Sequence, residues 1–247
     1  MRFLFLALLF CSTAFANGID DTCPKLTYKH APIVTADQFV CHQQYAVAFS
    51  YKTHNPIYTT EFLDKSHTSN LPRTNDFKVD PAIPKQYQTP PSDYIGAKCG
   101  ADRCDKGHMT PDQDFSACAQ CVHESFYMSN MVPQSSKNNE VIWKQMEVKI
   151  RAYASTRPKG VFVITGPVYK NLDKPTSTIG KTQGWVPDAL FKVIIDAETG
   201  HVAVFYMPNA AQDNLSKFLS NIAAIELATG IEFDSSLDKT NIHDLQE

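Results

Sequence analysis

From Asp105 to Arg151 the chain reads DKGHMTPDQDFSACAQCVHESFYMSNMVPQSSKNNEVIWKQMEVKIR. His108 stands out by its company. It follows Gly107, a residue that permits an unusual backbone or a close approach, and Asp105 and Lys106 precede it. Asn130 and Asn139 follow in loops or at a helix start. From about Asn139 to Ala154 the pattern becomes helical. Ile142, Met146, Ile150 and Tyr153 form one apolar stripe. Asn139, Trp143, Glu147 and Arg151 recur every four residues and form a second stripe. Glu147 and Arg151 stand at the spacing of an i,i+4 ion pair on a solvated face. From Lys137 to Lys159, Lys137, Lys144, Lys149, Arg151, Arg157 and Lys159 face only Glu140 and Glu147. That local excess of positive charge suits a phosphate backbone.

Working outward, residues 44–63 alternate apolar and polar around His54-Asn55-Pro56, the pattern of a hairpin. Pro81, Pro84, Pro90 and Pro91 make 81–91 an irregular surface loop. Val161-Phe162-Val163-Ile164-Thr165 is a short apolar run ending at Gly166-Pro167, as in a buried strand. Residues 190–195 and 201–207 read as two more strands joined by the turn Ala197-Glu198-Thr199-Gly200. Residues 219–229 read as a helix stopped by Gly230. Strands, hairpins and helices are mixed without regular βαβ alternation. The expected class is α+β: a mixed, largely antiparallel sheet with helices packed on it. No linker divides residues 17–247, which are expected to form a single domain.

The 247 residues are 43% hydrophobic and 20% charged, with a net charge of -3. That is too apolar for a disordered chain and too acidic for a histone-like binder. Any nucleic-acid contact must come from a local basic patch. Met1 to Ala16 reads MRFLFLALLFCSTAFA. Arg2, the apolar run Phe3–Phe10 and the small-x-small Ala14-Phe15-Ala16 match a secretory signal peptide, and the run falls short of the ~20 residues a membrane span needs. A secreted or periplasmic location follows. Removing residues 1–16 takes Cys11 away and leaves an even set of cysteines, which in an exported protein points to disulfides. Cys23 and Cys41 are isolated. Cys99, Cys104, Cys118 and Cys121 cluster as C-x4-C and C-x2-C, a spacing that also suits a four-cysteine zinc site. Disulfides are favoured over zinc on compartment.

The same central stretch resembles the DNA/RNA non-specific endonuclease family of the ββα-metal (His-Me finger) superfamily. Asp105-Lys106-Gly107-His108 is similar to the family's D-R-G-H motif, with Lys106 where arginine is usual. Phe126 to Gln134, which contains Ser129-Asn130-Met131-Val132-Pro133-Gln134, resembles its S/T-N-x-x-P-Q motif. Asn139, Trp143 and Glu147 resemble its Asn–Trp–Glu helix. Softer likenesses are Arg73 in RTNDFKVD, Val161–Pro167, Val186-Pro187 through Pro208-Asn209, and Thr229-Gly230-Ile231, so the resemblance covers about 45–233. It implies an endonuclease that hydrolyses DNA and RNA and leaves 5′-phosphate ends; the pattern of residues 1–16 makes it a secreted one, and whether it forms a homodimer is left open by the sequence. His108 would be the general base, an imidazole that titrates near neutral pH when unperturbed. Asn139 would be the one direct protein ligand of Mg2+, with Mn2+ as a substitute. Asn130 would position substrate or His108, and Arg73 would neutralise charge at phosphorus. Lys106 and Arg151 would bind substrate. Glu147 lies a rise of ~12 Å beyond Asn139, so direct ligation of one ion by both is disfavoured. It is assigned a role through water or as an orienting partner of Arg151. Lys106 keeps a positive charge but loses arginine's planar fork. The competing readings are a nucleic-acid binder with weakened catalysis and a disulfide- or zinc-stapled interaction module.

Overall fold

A computed structural model describes residues 18–69, 71–241 and 243–245, so the segment read as a signal peptide lies outside the described residues. After α1 (Ile19–Thr22), the chain lays down β1 (Gln38–Cys41), β2 (Tyr45–Ser50) and β3 (Asn55–Leu63) as antiparallel neighbours. The expected hairpin is β2–β3, and His54 takes the left-handed conformation, φ 59°, at its turn. A small sheet follows, of β4 (Lys98–Cys99), β5 (Asp102–His108) and β6 (Met131–Ser135), with α2 (Ala119–Ser125) in the β5–β6 connection. The chain then forms α3 (Lys144–Thr156) and returns through β7 (Val161–Val168). A two-stranded ribbon of β8 (Thr178–Ile179) and β9 (Gly184–Trp185) precedes β10 (Ala189–Asp196), β11 (Val202–Pro208), β12 (Leu219–Ser220) and α4 (Ile222–Thr229). The large sheet has the order β1-β2-β3-β7-β10-β11-β12, and every pairing in it is antiparallel. The α+β class is as expected.

The central strands are buried on both faces, which explains their unbroken apolar runs. On one face Ile164, Phe191, Val193 and Ile195 pack with Ile222 and Ile225 of α4. On the other, Val161, Val163, Leu190 and Ile194 pack with Trp143, Met146 and Ile150. The expected helical stripe Ile142, Met146, Ile150 and Tyr153 is buried, at 1%, 0%, 2% and 7% exposure. Asp196 Oδ1 accepts from the N–H groups of Glu198 and Thr199, closing the β10–β11 turn in which Gly200 sits at φ 72°.

Two local expectations are corrected. Residues 219–220 are a strand paired with β11 and not helix, because the side chain of Asn221 caps α4 by accepting from Ala224 N at 2.9 Å. Gly230, at φ 71°, ends that helix as expected. The helix read from Asn139 opens with a π-helical turn, Asn138–Trp143, before α3 continues. Such turns arise at functional sites, and this one sets the rotation of Asn139 relative to Glu147.

Candidate active site

The β5–β6 pair and α3 surround a cleft of about 650 Å³ lined by Arg73, Lys106, His108, Asn139, Glu147 and Arg151, among others. Six of the seven expected site residues therefore meet in one place. Asn130 is the exception: it is fully buried behind His108. Its Nδ2 donates to the carbonyls of Thr110 and Ser125, both at 2.8 Å, and its Oδ1 accepts from Thr110 N at 2.9 Å. It ties the segment after His108 to the start of β6.

Gly107 is required by close approach. A Cβ there would lie 2.0 Å from Gln134 Oε1, and Gln134 in turn donates to Asn138 Oδ1 at 2.7 Å. Asn138 also donates to the carbonyls of Pro208 and Ala210. Sequence reasoning missed Asn138. It is buried and fixes the start of the π-helical turn to the end of β11.

His108 is 7% exposed and walled by Phe77 and Phe126, with ring centroids 5.6 and 5.0 Å away. Nε2 is buried without a hydrogen-bond partner. That leaves Nδ1 as the nitrogen available to the cleft. Burial first, then the charges of Arg73, Lys192 and Lys106, hold the ring well below the ordinary imidazole value. Lowered in this way from the unperturbed imidazole value, the ring favours its neutral form.

Cations surround it. Arg73 pairs with Asp112, donates from Nε to Asn75 Oδ1 at 2.7 Å, and places its guanidinium 4.9 Å over the Phe126 ring. Lys106 Nζ lies 4.7 Å over Phe77 and 5.6 Å over Tyr94. Arg151 Nη1 donates to Asp114 Oδ1 at 2.6 Å. This corrects the expected Glu147–Arg151 pair: β5 and its following loop bring a carboxylate that the helix sequence does not show. The stripe of Asn139, Glu147 and Arg151 faces the cleft and not bulk solvent, while Trp143 is buried beneath it. The local positive excess is also largely answered. Lys137 pairs with Asp102, Arg157 with Asp196 and Lys159 with Glu198. Among the described residues Lys144 and Lys149 have no ion pair, and Lys144 lines the cleft. Burial and the charges of Asp114 and Asp112 push the Glu147 carboxyl up to about 7, against the opposing pull of Lys192 and Arg151.

The donor set fits a hydrated divalent cation. Asn139 Nδ2 donates to Asp105 Oδ2 at 3.1 Å, which leaves Oδ1 as the amide atom available to a cation. Among the described residues no three His, Cys, Asp or Glu side chains form a ready-made cage, so an ion held by Asn139 would keep most of its water, as Mg2+ prefers. The four clustered cysteines form two separate disulfides, Cys99–Cys104 and Cys118–Cys121, and Cys23–Cys41 is the third. A four-cysteine zinc centre is not built. The Cys99–Cys104 bridge closes the β4–β5 turn immediately before Asp105.

A His–Asn cleft carried on two strands and a helix defines the ββα-metal class of nuclease site, and the comparisons agree. Residues 24–240 match the family model for DNA/RNA non-specific endonuclease, and the chain belongs to that family. It is 31% identical over 225 residues to a protein named nuclease EXOG, mitochondrial, from Xenopus laevis, which covers 83% of this chain and 59% of that protein. It is 33% identical over 231 residues to nuclease 1, mitochondrial, of Schizosaccharomyces pombe, covering 85% and 70%. The chain thus spans little more than half of the frog protein. The crystal structure of an EndoG/EndoGI complex, described as showing the mechanism of EndoG inhibition, matches with a TM-score of 0.72 and 25% identity, over 83% of this chain and 89% of that one. The named relatives are mitochondrial nucleases, and this overturns the secreted or periplasmic location read from residues 1–16. Among the described residues no helix is long and apolar enough to cross a membrane.

Proposed function

We propose that this chain is a mitochondrial, divalent-metal-dependent endonuclease that hydrolyses phosphodiester bonds in DNA and RNA. The observation that carries the reading is one cleft lined by a neutral, desolvated imidazole and by an amide whose nitrogen is already engaged. His108 takes the proton of the attacking water, and burial keeps its base form populated. Arg73, braced on Phe126 and Asp112, neutralises charge on the pentacovalent phosphorus. Lys106 and Arg151 hold the flanking phosphates, Lys106 as a point charge and not a planar fork. Asn130 positions His108 from behind. Glu147 acts through water in the cleft. Asn139 would hold a single Mg2+, replaceable by Mn2+, through Oδ1. When bound, that ion would polarise the scissile phosphate and stabilise the departing 3′ oxygen. The products would carry 5′-phosphates.

Digestion of plasmid DNA and of RNA, with Mg2+ and with EDTA, tests this. Cleavage of both with Mg2+, abolished by EDTA and by His108→Ala, is the expected result. Gel retardation without cleavage would favour a binder with lost catalysis. Neither binding nor cleavage would leave an interaction module stapled by disulfides.

A further inference from the structure

β10 reads ALFKVIID, a continuous apolar run broken once, by Lys192. The residue is 1% exposed and lies between Leu190 and Ile194, which pack in the core beneath α3. A buried ammonium is costly unless its donors are satisfied. Nζ donates to the carbonyl of Met109 at 2.9 Å and to Thr165 Oγ1 at 2.8 Å, and it lies 5.1 Å over the Trp143 ring. The charged groups facing it are Glu61 from β3, Glu147 and Arg151 from α3, and Asp114 from the loop after β5.

Met109 directly follows His108. Its N–H donates to the Asn130 carbonyl at 2.9 Å, so both polar groups of this residue are committed, one to the small sheet and one to Lys192. Thr110 is held as well: its Oγ1 donates to Thr59 Oγ1 at 3.0 Å and its N–H donates to Asn130 Oδ1. In register, Thr59 pairs with Thr165 and Thr165 with Lys192. The anchors therefore form one polar row across the central strands, beneath the cleft.

We propose that Lys192 is a positioning residue for the general base, clamping the Met109 carbonyl to the central sheet and so fixing the His108 imidazole at the cleft. This rests on the reading of His108 as the base. Lys192 does not line the cleft and does not touch substrate. Its charge also opposes protonation of His108 and of Glu147. A structural role alone would move stability; this role moves kcat and the pH profile.

The test is Lys192→Met and Lys192→Gln in the full chain, assayed on plasmid DNA with Mg2+ beside wild type and His108→Ala. Lys192→Met is expected to lose roughly tenfold to a hundredfold in kcat, with KM held within about twofold. The acid limb of its profile should move to higher pH. Lys192→Gln keeps an N–H donor without the charge. It should retain more kcat and show the same pH shift. Wild-type kcat with an unmoved acid limb would overturn the inference, as would a raised KM at constant kcat, or lost thermal stability with no pH shift. If neither variant folds, lysine side-chain NMR of the wild-type chain decides: a slowly exchanging Lys192 ammonium is expected, and a freely exchanging one would overturn the clamp. Retained activity in His108→Ala would instead overturn the base reading itself. An inactive His108→Ala beside an unaffected Lys192→Met would overturn only the clamp.

Discussion

Asn139 donates from Nδ2 to Oδ2 of Asp105 across 3.1 Å, and this one contact decides which end of the amide is left for a cation. A carboxylate accepts and cannot donate, so it selects the nitrogen and turns the oxygen away. Asp105 is thus the residue that orients Asn139, and it is supplied by the same short motif that carries His108. Asp105→Ala is expected to raise the Mg2+ concentration for half-maximal cleavage roughly tenfold or more, with much of the rate recovered at high Mg2+. A Mg2+ titration of initial rates checks it; an unchanged midpoint would count against the role.

The pH behaviour of the site follows from Glu147 rather than from His108. Burial and neighbouring carboxylates push Glu147 up to about 7, whereas His108 is held neutral to well below its ordinary range. The acid limb of kcat in the wild-type enzyme should therefore lie near the Glu147 value, and Glu147→Gln should remove that inflection. Glu147→Ala is expected to weaken activity less than His108→Ala. Equal losses would refute the ranking.

The same shift has a stability consequence. The folded-state value of Glu147 lies above the unfolded value of about 4.3, so the native state holds this proton more tightly. The contribution to stability is full below the unfolded value and is lost as pH rises through about 7. Thermal unfolding in EDTA should show the wild type losing stability over that window relative to Glu147→Gln. Parallel curves for the two proteins would contradict this.

Gly107 faces the Gln134 side chain with no room for a methyl group. Gly107→Ala should separate β5 from β6, cost about 1–3 kcal/mol of stability, and lower cleavage by displacing His108. Pairing it with Gln134→Ala should restore part of both, as expected for contacting residues. Additive losses in the double variant would show that the clash is not the cause.

The Cys99–Cys104 bridge closes a short loop and should contribute about 2 kcal/mol by the chain-entropy argument. Its greater effect is expected on catalysis, because it anchors the strand that ends at His108. Strong reductant, or the Cys99→Ser/Cys104→Ser pair, should lower kcat more than it lowers the melting temperature. Unchanged rates in reductant would remove this bridge from the mechanism.

Elements defined by local pattern were legible in the sequence: the β2–β3 hairpin, the buried strand at Val161, the apolar stripe from Ile142 to Tyr153, and the Gly230 stop. The cleft residues of α3 were legible through their fourfold spacing, although the π-helical turn that rotates Asn139 was not. What escaped were partners distant in sequence. Asp114 takes Arg151 away from Glu147, and Asp102, Asp196 and Glu198 answer Lys137, Arg157 and Lys159 on either side of the helix. Asn138 and Lys192 carry no motif. The visible sign of Lys192 was one charge inside an apolar strand, a pattern whose meaning depends on which carbonyl the fold brings to it.

Initial rates of plasmid cleavage by His108→Ala and Asn139→Ala across a Mg2+ titration test the two-residue core of the site most directly. His108→Ala is expected to lose roughly a hundredfold to ten-thousandfold in rate with its Mg2+ midpoint unmoved, while Asn139→Ala should shift that midpoint upward. Wild-type cleavage by His108→Ala, or an Asn139→Ala variant with an unaltered Mg2+ response, would contradict the assignment of base and metal-holding residue.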